Sequence, residues 1–210
     1  MARIKQRQVL ACVDKQRSAA VKVLASEALT ANALIMATGV SGAHMSAHLA
    51  DVDDFTQSGG TLWVCDFAVA SGKTVACAVP WKLLTGLNTS AAAAVGQPVY
   101  LSNDGTGTYT LSPTAGVPHI KVGHVVAVDT SLGAILLNPG AYSGQIGGQV
   151  AFSSAATATV AVGAAFNGRP VVATMNGGTN YIKKAAIATG TLTLTADGSN
   201  SDTATYMIIG

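Results

Sequence analysis

Beyond Gly60 the chain is a succession of short runs of β-branched and small apolar residues, each closed within a few residues by Gly, Asn, Asp or Pro. Such runs are too short for packed helices and suit strands, whose side chains alternate between two faces. Residues 62–69 and 74–79 flank a turn at Ala70-Ser71-Gly72-Lys73, which predicts a hairpin over 61–79. Residues 80–84 follow, then a polar turn at Asn88–Ser90, and strands are expected at 99–101, 108–111, 121–128 and 134–137. Asn103-Asp104-Gly105 is a turn with a physical cause, since these residues tolerate positive φ. A second series is expected at 157–162, 170–175, 181–189, 191–195 and 203–209, the last too apolar to fray. Residues 141–149, AYSGQIGGQ, read as a Gly-rich hinge between the two series. Residues 19–36 fit either a helix or a strand followed by a turn at Ala31–Asn32, and 37–60 read as a connection. No fixed repeat is evident. The expected fold is therefore mainly β: two small β-barrel or β-sandwich units, 19–142 and 150–210, joined by the hinge and preceded by an extended arm, 1–18.

Charge narrows the function classes. Only 10% of residues are charged, against about 25% in an ordinary soluble domain, while 49% are apolar. With so little charge and a mean hydropathy of +0.40, apolar surface left on a monomer needs a cover, and sister copies or a partner supply one. No run reaches the roughly 18 apolar residues of a spanning helix. The apolar run 9–13 is too short for a secretory signal and stops at Asp14 and Lys15. Arg3, Lys5, Arg7, Lys15, Arg17 and Lys22 are half of the 12 basic residues. This segment reads either as a solvated tail or as an arm laid on an acidic partner surface. Without interleaved aromatics, direct nucleic-acid binding is not expected.

Chemistry is sparse. Cys12, Cys65 and Cys77 form neither a disulfide framework nor a C-x-x-C zinc motif, and they are expected reduced and mostly buried. Should the 61–79 hairpin turn near Ser71, Cys65 and Cys77 would face each other and could cross-link under oxidation. Gly72-Lys73-Thr74 ends like a phosphate-binding loop, but position 67 is Phe where a Gly is required and a strand follows instead of a helix. His44 and His48 would share a face on a helix, near Asp51, Asp53 and Asp54, but Met45 stands where a metalloprotease has Glu, and a solvated polar loop is the plainer reading. Glu27 is the only glutamate, and no G-x-S-x-G elbow occurs. Asp66, Asp104 and Asp129 sit at strand ends and turns, where Asp serves the backbone. His119 and His124 flank a strand with no visible catalytic partner. No catalytic residue, cofactor or metal site is expected, and interaction is the expected function.

The segments Gly60-Thr61-Leu62-Trp63-Val64, the turn Ala70-Ser71-Gly72, Val79-Pro80-Trp81-Lys82-Leu83-Leu84-Thr85, Val95-Gly96-Gln97-Pro98-Val99-Tyr100-Leu101-Ser102, Lys121-Val122-Gly123-His124-Val125 and Gly133-Ala134-Ile135-Leu136-Leu137-Asn138-Pro139-Gly140 occur in this order. In that order they resemble the head-decoration (cement) proteins of tailed bacteriophages. Residues 150–210, through Phe166-Asn167-Gly168-Arg169-Pro170-Val171-Val172 and Tyr206-Met207-Ile208-Ile209-Gly210, are similar to small β-sandwich tips of phage fibres. The resemblance implies a homotrimer on the capsid exterior of a virion, made in the host cytoplasm, that binds the major capsid protein and stabilises the head. Arg3, Lys5, Arg7, Lys15 and Arg17 are the expected capsid-binding residues. The alternative expectation is a receptor- or carbohydrate-binding head fibre, in which the C-terminal unit meets a glycan. Phe152, Phe166, Tyr181 and Tyr206 are that unit's only aromatics.

Overall fold

The computed structural model describes residues 20–53, 55, 61–113, 117–141 and 146–209. The basic arm, with Arg3, Lys5, Arg7, Lys15, Arg17 and Cys12, lies outside the described residues. The fold is mainly β, in small barrel and sandwich units.

Five strands close into a barrel in the order β1-β3-β2-β4-β5. They are β1 (Val21–Ala25), β2 (Leu34–Ser41), β3 (His44–Leu49), β4 (Thr61–Cys65) and β5 (Thr74–Val79). The region open to a helix is thus strand, turn, strand. Its turn places Asn32 at φ 68, a conformation costly for most side chains and tolerated by Asn. The segment expected to be a plain connection holds the end of β2, the two-residue turn Gly42-Ala43 and all of β3.

The predicted hairpin is corrected in its wiring. The strand expected at 62–69 stops at Cys65, and β4 meets β5 over only two residue pairs, Val64↔Val79 and Cys65↔Ala78. The intervening segment pairs instead with the corresponding segment of the first half, through Leu29↔Val69. A repeat of 40 residues explains this. Leu34↔Val64 and Ile35↔Trp63 in the β2–β4 ladder become Leu24↔Thr74 and Val23↔Val75 in the β1–β5 ladder. Off the strands, Leu29 and Val69 exchange both backbone hydrogen bonds, at 2.8 and 2.9 Å. The donor Cys65 N–H reaches Ala33 O at 2.8 Å as Ala25 N–H reaches Lys73 O at 2.9 Å. The two halves are related by a pseudo-two-fold axis, so the expectation of no fixed repeat does not hold for the backbone.

Alternation along these strands sorts side chains between two cores. Val23, Ala25, Leu29, Ile35, Ala47, Cys65, Val69, Cys77 and Ala78 cluster together, while Leu34, Met36, Leu62, Val64 and Val79 of the same strands belong to a larger core. That larger core is shared with a five-stranded sheet, β6-β10-β9-β7-β8. Its strands are β6 (Lys82–Leu87), β7 (Pro98–Leu101), β8 (Tyr109–Thr110), β9 (Lys121–Ala127) and β10 (Gly133–Leu137). Lys82 anchors the exit from the barrel by donating to Asp66 Oδ1 at 2.8 Å and to Asp66 O at 2.6 Å. Thr89, fully buried, is satisfied: its hydroxyl donates to Ala127 O at 2.8 Å and accepts from Asp129 N–H at 3.1 Å.

The C-terminal part is two three-stranded sheets, β11-β16-β13 and β12-β15-β14. The strands are β11 (Ile146–Ala151), β12 (Ala155–Ala161), β13 (Val171–Met175), β14 (Ile182–Ala188), β15 (Thr191–Asn200) and β16 (Thr203–Ile208). Five of the six match expected strands. The sixth, β11, occupies the second half of the Gly-rich stretch and pairs along its whole length with β16. Leu192, Leu194, Ala204, Tyr206 and Ile208 fill the space between the sheets and belong to the same large core as the barrel's outer face. Phe55 and Phe166 contribute a ring contact to it, with centroids 6.3 Å apart.

Candidate binding cleft

The residues singled out for chemistry are dispersed by the fold. His44 and His48 lie on a strand, not a helix, so at about 3.3 Å per residue their backbones stand some 13 Å apart, too far to share a metal ion. Among the described residues no three metal-ligating side chains gather in one place. Gly72-Lys73-Thr74 is the barrel turn entering β5, with Gly72 at φ 75. Asp66 pairs with Lys82. His119 precedes β9, whereas His124 lies within it, opposite Leu136 and Pro98. Among the described residues no helix is long and apolar enough to cross a membrane.

The aspartates at turns serve the backbone, as expected. The Asp129 carboxylate accepts from Ser131 N–H at 2.8 Å and Leu132 N–H at 2.9 Å, bonds that lower its pKa. Burial alone would raise Asp104, but the hydroxyls of Thr108 and Thr106 and the Thr106 N–H outweigh it and hold the carboxyl down to about 2. The tight 102–108 loop that results docks on the barrel, where Gly107 O accepts from Leu34 N–H at 2.7 Å.

Cys65 and Cys77 are buried free thiols inside the barrel. The neighbouring Cys77 thiol together with burial pushes the Cys65 thiol above the ordinary range. Cys65 donates to Phe67 O at 3.0 Å.

A cleft lies where the second sheet meets the C-terminal unit. It has a volume of about 350 Å³, at the lower end of the roughly 300–1,000 Å³ usual for small-molecule sites. Three elements build it. Tyr100 on β7 and His119 form one wall, their rings 5.5 Å apart and tilted by 58°. Lys121 opens β9 beside them. The facing wall comes from β11 and β16, with Gln149, Thr205 and Met207 on its outer side. A bridge ties the walls together: His119 N–H donates to Gly147 O at 2.6 Å, and Gly147 N–H donates to His119 O at 3.1 Å.

Tyr206 is the unusual member of this lining. It is 2% exposed, and its hydroxyl is buried with no hydrogen-bond partner. An orphaned buried hydroxyl costs about 1–3 kcal/mol. Its ring lies directly over Gly148, where an added Cβ would stand 2.7 Å from the hydroxyl oxygen. Glycine is required there by the close approach of the phenol. Burial raises the phenol's pKa to about 12, so it stays a neutral O–H donor. Tyr206 packs in the core as expected of the C-terminal strand, whereas Gly147-Gly148, read as hinge, belong to β11. The available signal was a pair of glycines inside an apolar, alternating stretch, which marks close approach of another group to the strand.

Elsewhere the surface is apolar in places. Val40, Val95 and Leu132 are 75%, 65% and 75% exposed, and Phe67 and Leu83 about half exposed. On the β11-β16-β13 sheet, exposed Val172 and Met207 are cross-strand partners, with exposed Ile209 following on the same strand run. No family model matches the chain, and no curated protein or solved structure matches it.

Proposed function

We propose that the protein is a capsid decoration protein, which binds the major capsid protein lattice as a homotrimer on the virion exterior and stabilises the head. The observation that carries this reading is the exposed apolar surface, including Val40, Phe67, Leu83, Val95, Leu132, Val172 and Met207, on a chain with only 10% charged residues. Surface of this kind is stable in water when sister copies or a lattice cover it. The ordered series of segments between Gly60 and Gly140 that resembles decoration proteins supplies the partner. A non-enzymatic role agrees with the use of Asp66, Asp104 and Asp129 in ion pairing and turn capping. Head stabilisation then follows from mass action, since a ligand that binds only the assembled shell favours the assembled state.

In this reading the basic arm, with Arg3, Lys5, Arg7, Lys15 and Arg17, lies on acidic capsid surface while the β units form the trimer. Deleting residues 2–18 weakens shell binding and leaves the trimer intact. Co-sedimentation of full-length and truncated protein with expanded and mature shells, together with the molar mass of each in solution, tests this. Undiminished binding by the truncated chain overturns the role of the arm. A full-length chain that stays monomeric at high concentration and ignores shells overturns the proposal.

A further inference from the structure

We propose that Cys65 and Cys77 are a redox modification site: a small-molecule disulfide oxidises the pair to an intramolecular disulfide, which staples the β4–β5 seam and locks the barrel. Strand register brings the two residues together. Cys65 turns both backbone groups toward the segment entering β2, its N–H to Ala33 O and its C=O to Asn32 N–H, each at 2.8 Å. Cys65 and its partner Ala78 are therefore a non-hydrogen-bonded pair, the kind whose Cα atoms stand about 4.5 Å apart. Cys77 is one residue away along β5, a step of about 3.3 Å. Its Cα then lies about 5.6 Å from that of Cys65, inside the range that a disulfide spans. Burial settles the facing. Alternation along β5 points Val75 and Cys77 into the barrel, and a bulge relative to β1 brings Ala78 to the same side. Cys65 enters the same small core from β4. Directly opposite it stands an alanine, whose single methyl leaves the Cys65 sulfur room to reach diagonally. Among the described residues no third metal-ligating side chain joins the two thiols, so the pair is not part of a zinc site.

The seam is where a cross-link matters most. β4 and β5 close the barrel through two residue pairs and one further bond, from Asp66 N–H to Cys77 O at 2.8 Å. A cavity of about 370 Å³ opens beside it, lined by Ala20, Asp66, Phe67 and Ala76. Asp66 adjoins Cys65 in the chain and Ala76 adjoins Cys77, so a small oxidant has a place of approach at the residues flanking both thiols. The chemistry is thiol–disulfide exchange. One cysteine thiolate attacks the small disulfide R–S–S–R and releases R–S⁻, and the second attacks the protein sulfur of the mixed disulfide and releases the other R–S⁻. The cysteine pair gives up two electrons, its two protons end on the released thiolates, and the oxidant leaves as two thiols.

The test uses the full-length chain carrying Cys12→Ser, which leaves Cys65 and Cys77 as its only thiols. The folded protein is incubated with oxidised glutathione at neutral pH. Intact mass is expected to fall by two hydrogens with no glutathione retained, and a non-reducing digest is expected to yield one peptide pair joined through residues 65 and 77. The melting temperature is expected to rise by about 5 °C or more and to return on treatment with dithiothreitol. Cys65→Ala and Cys77→Ala, each in the same background, are expected to show no such rise. The digest decides the pairing even where an alanine variant folds poorly. Two thiols still free after oxidation, a link that forms only in denaturant, or a link between copies instead of within one overturns the site. A 65–77 link that leaves the melting temperature unchanged or lowers it overturns the staple. No shells take part, so the result stands apart from the shell-binding test.

Discussion

The two halves of the barrel, 21–37 and 61–77, share a backbone path and almost no side chains. Aligned at an offset of 40, they are identical at one position, Ala28 and Ala68. What they do share is physical. Leu29 and Val69 are buried apolar residues meeting on the pseudo-two-fold axis. Asn32 and Gly72 hold the left-handed turn position at φ 68 and 75. The halves then part. After β2 the turn at Gly42-Ala43 returns the chain as β3, which slots between β1 and β2. After β5 comes Pro80, which lacks an N–H and cannot continue the ladder, and the chain leaves for the second sheet as β6. The two equivalent donors show the consequence: Ser26 N–H reaches Ala47 O on β3 at 2.9 Å, whereas Asp66 N–H reaches Cys77 O on β5 at 2.8 Å. Backbone symmetry thus survives near-total replacement of side chains, provided burial and turn conformation are kept at a few positions.

The axis pair puts this comparison under the greatest load. Leu29→Ala is expected to cost about 3 kcal/mol and Val69→Ala about 2 kcal/mol, with the double variant deviating from additivity because the two residues touch. Chemical denaturation of the four proteins measures both quantities, and strict additivity would mean that the halves do not lean on each other. The turn position comes next. Gly72→Ala forces a Cβ into the left-handed region at a cost of about 1–2 kcal/mol, while Asn32→Gly changes stability by only a few tenths. Equal effects at the two turns would separate them physically. A further comparison lies at the thiols. Positions 65 and 77 correspond to Ala25 and Ala37 of the first half. Cys65→Ala with Cys77→Ala makes the second half resemble the first, and each change is expected to cost about 1 kcal/mol for the small volume removed. A much larger loss on thermal melting would show that the thiol pair holds the short β4–β5 seam.

The strand runs were legible because their signals are local. Val99, Val122, Val125, Ile135 and Leu137 alternate or cluster within one element, and the turns between elements carry Gly, Asn or Asp. Misreadings arose where the deciding partner lay far along the chain. Residues 66–73 look like the end of a strand and a hairpin turn, yet their backbone groups are claimed by the segment some 40 residues earlier. Gly147-Gly148 reads as flexible until the Tyr206 ring is laid over it. The cleft was illegible for the same reason, since Tyr100, Lys121, Gln149 and Tyr206 come from four strands of two sheets.

By itself the sequence determined that this chain is built of short strands with two apolar faces to cover and little charge to keep copies apart, because side-chain period and turn chemistry act over a few residues. Only the tertiary structure decided that the first strands interlock as a pseudo-symmetric barrel, and that Tyr206 lays its ring over Gly148 on the neighbouring strand. Strand pairing is set by which distant backbone groups satisfy one another and which faces are buried together, and neither is written in any local stretch of residues.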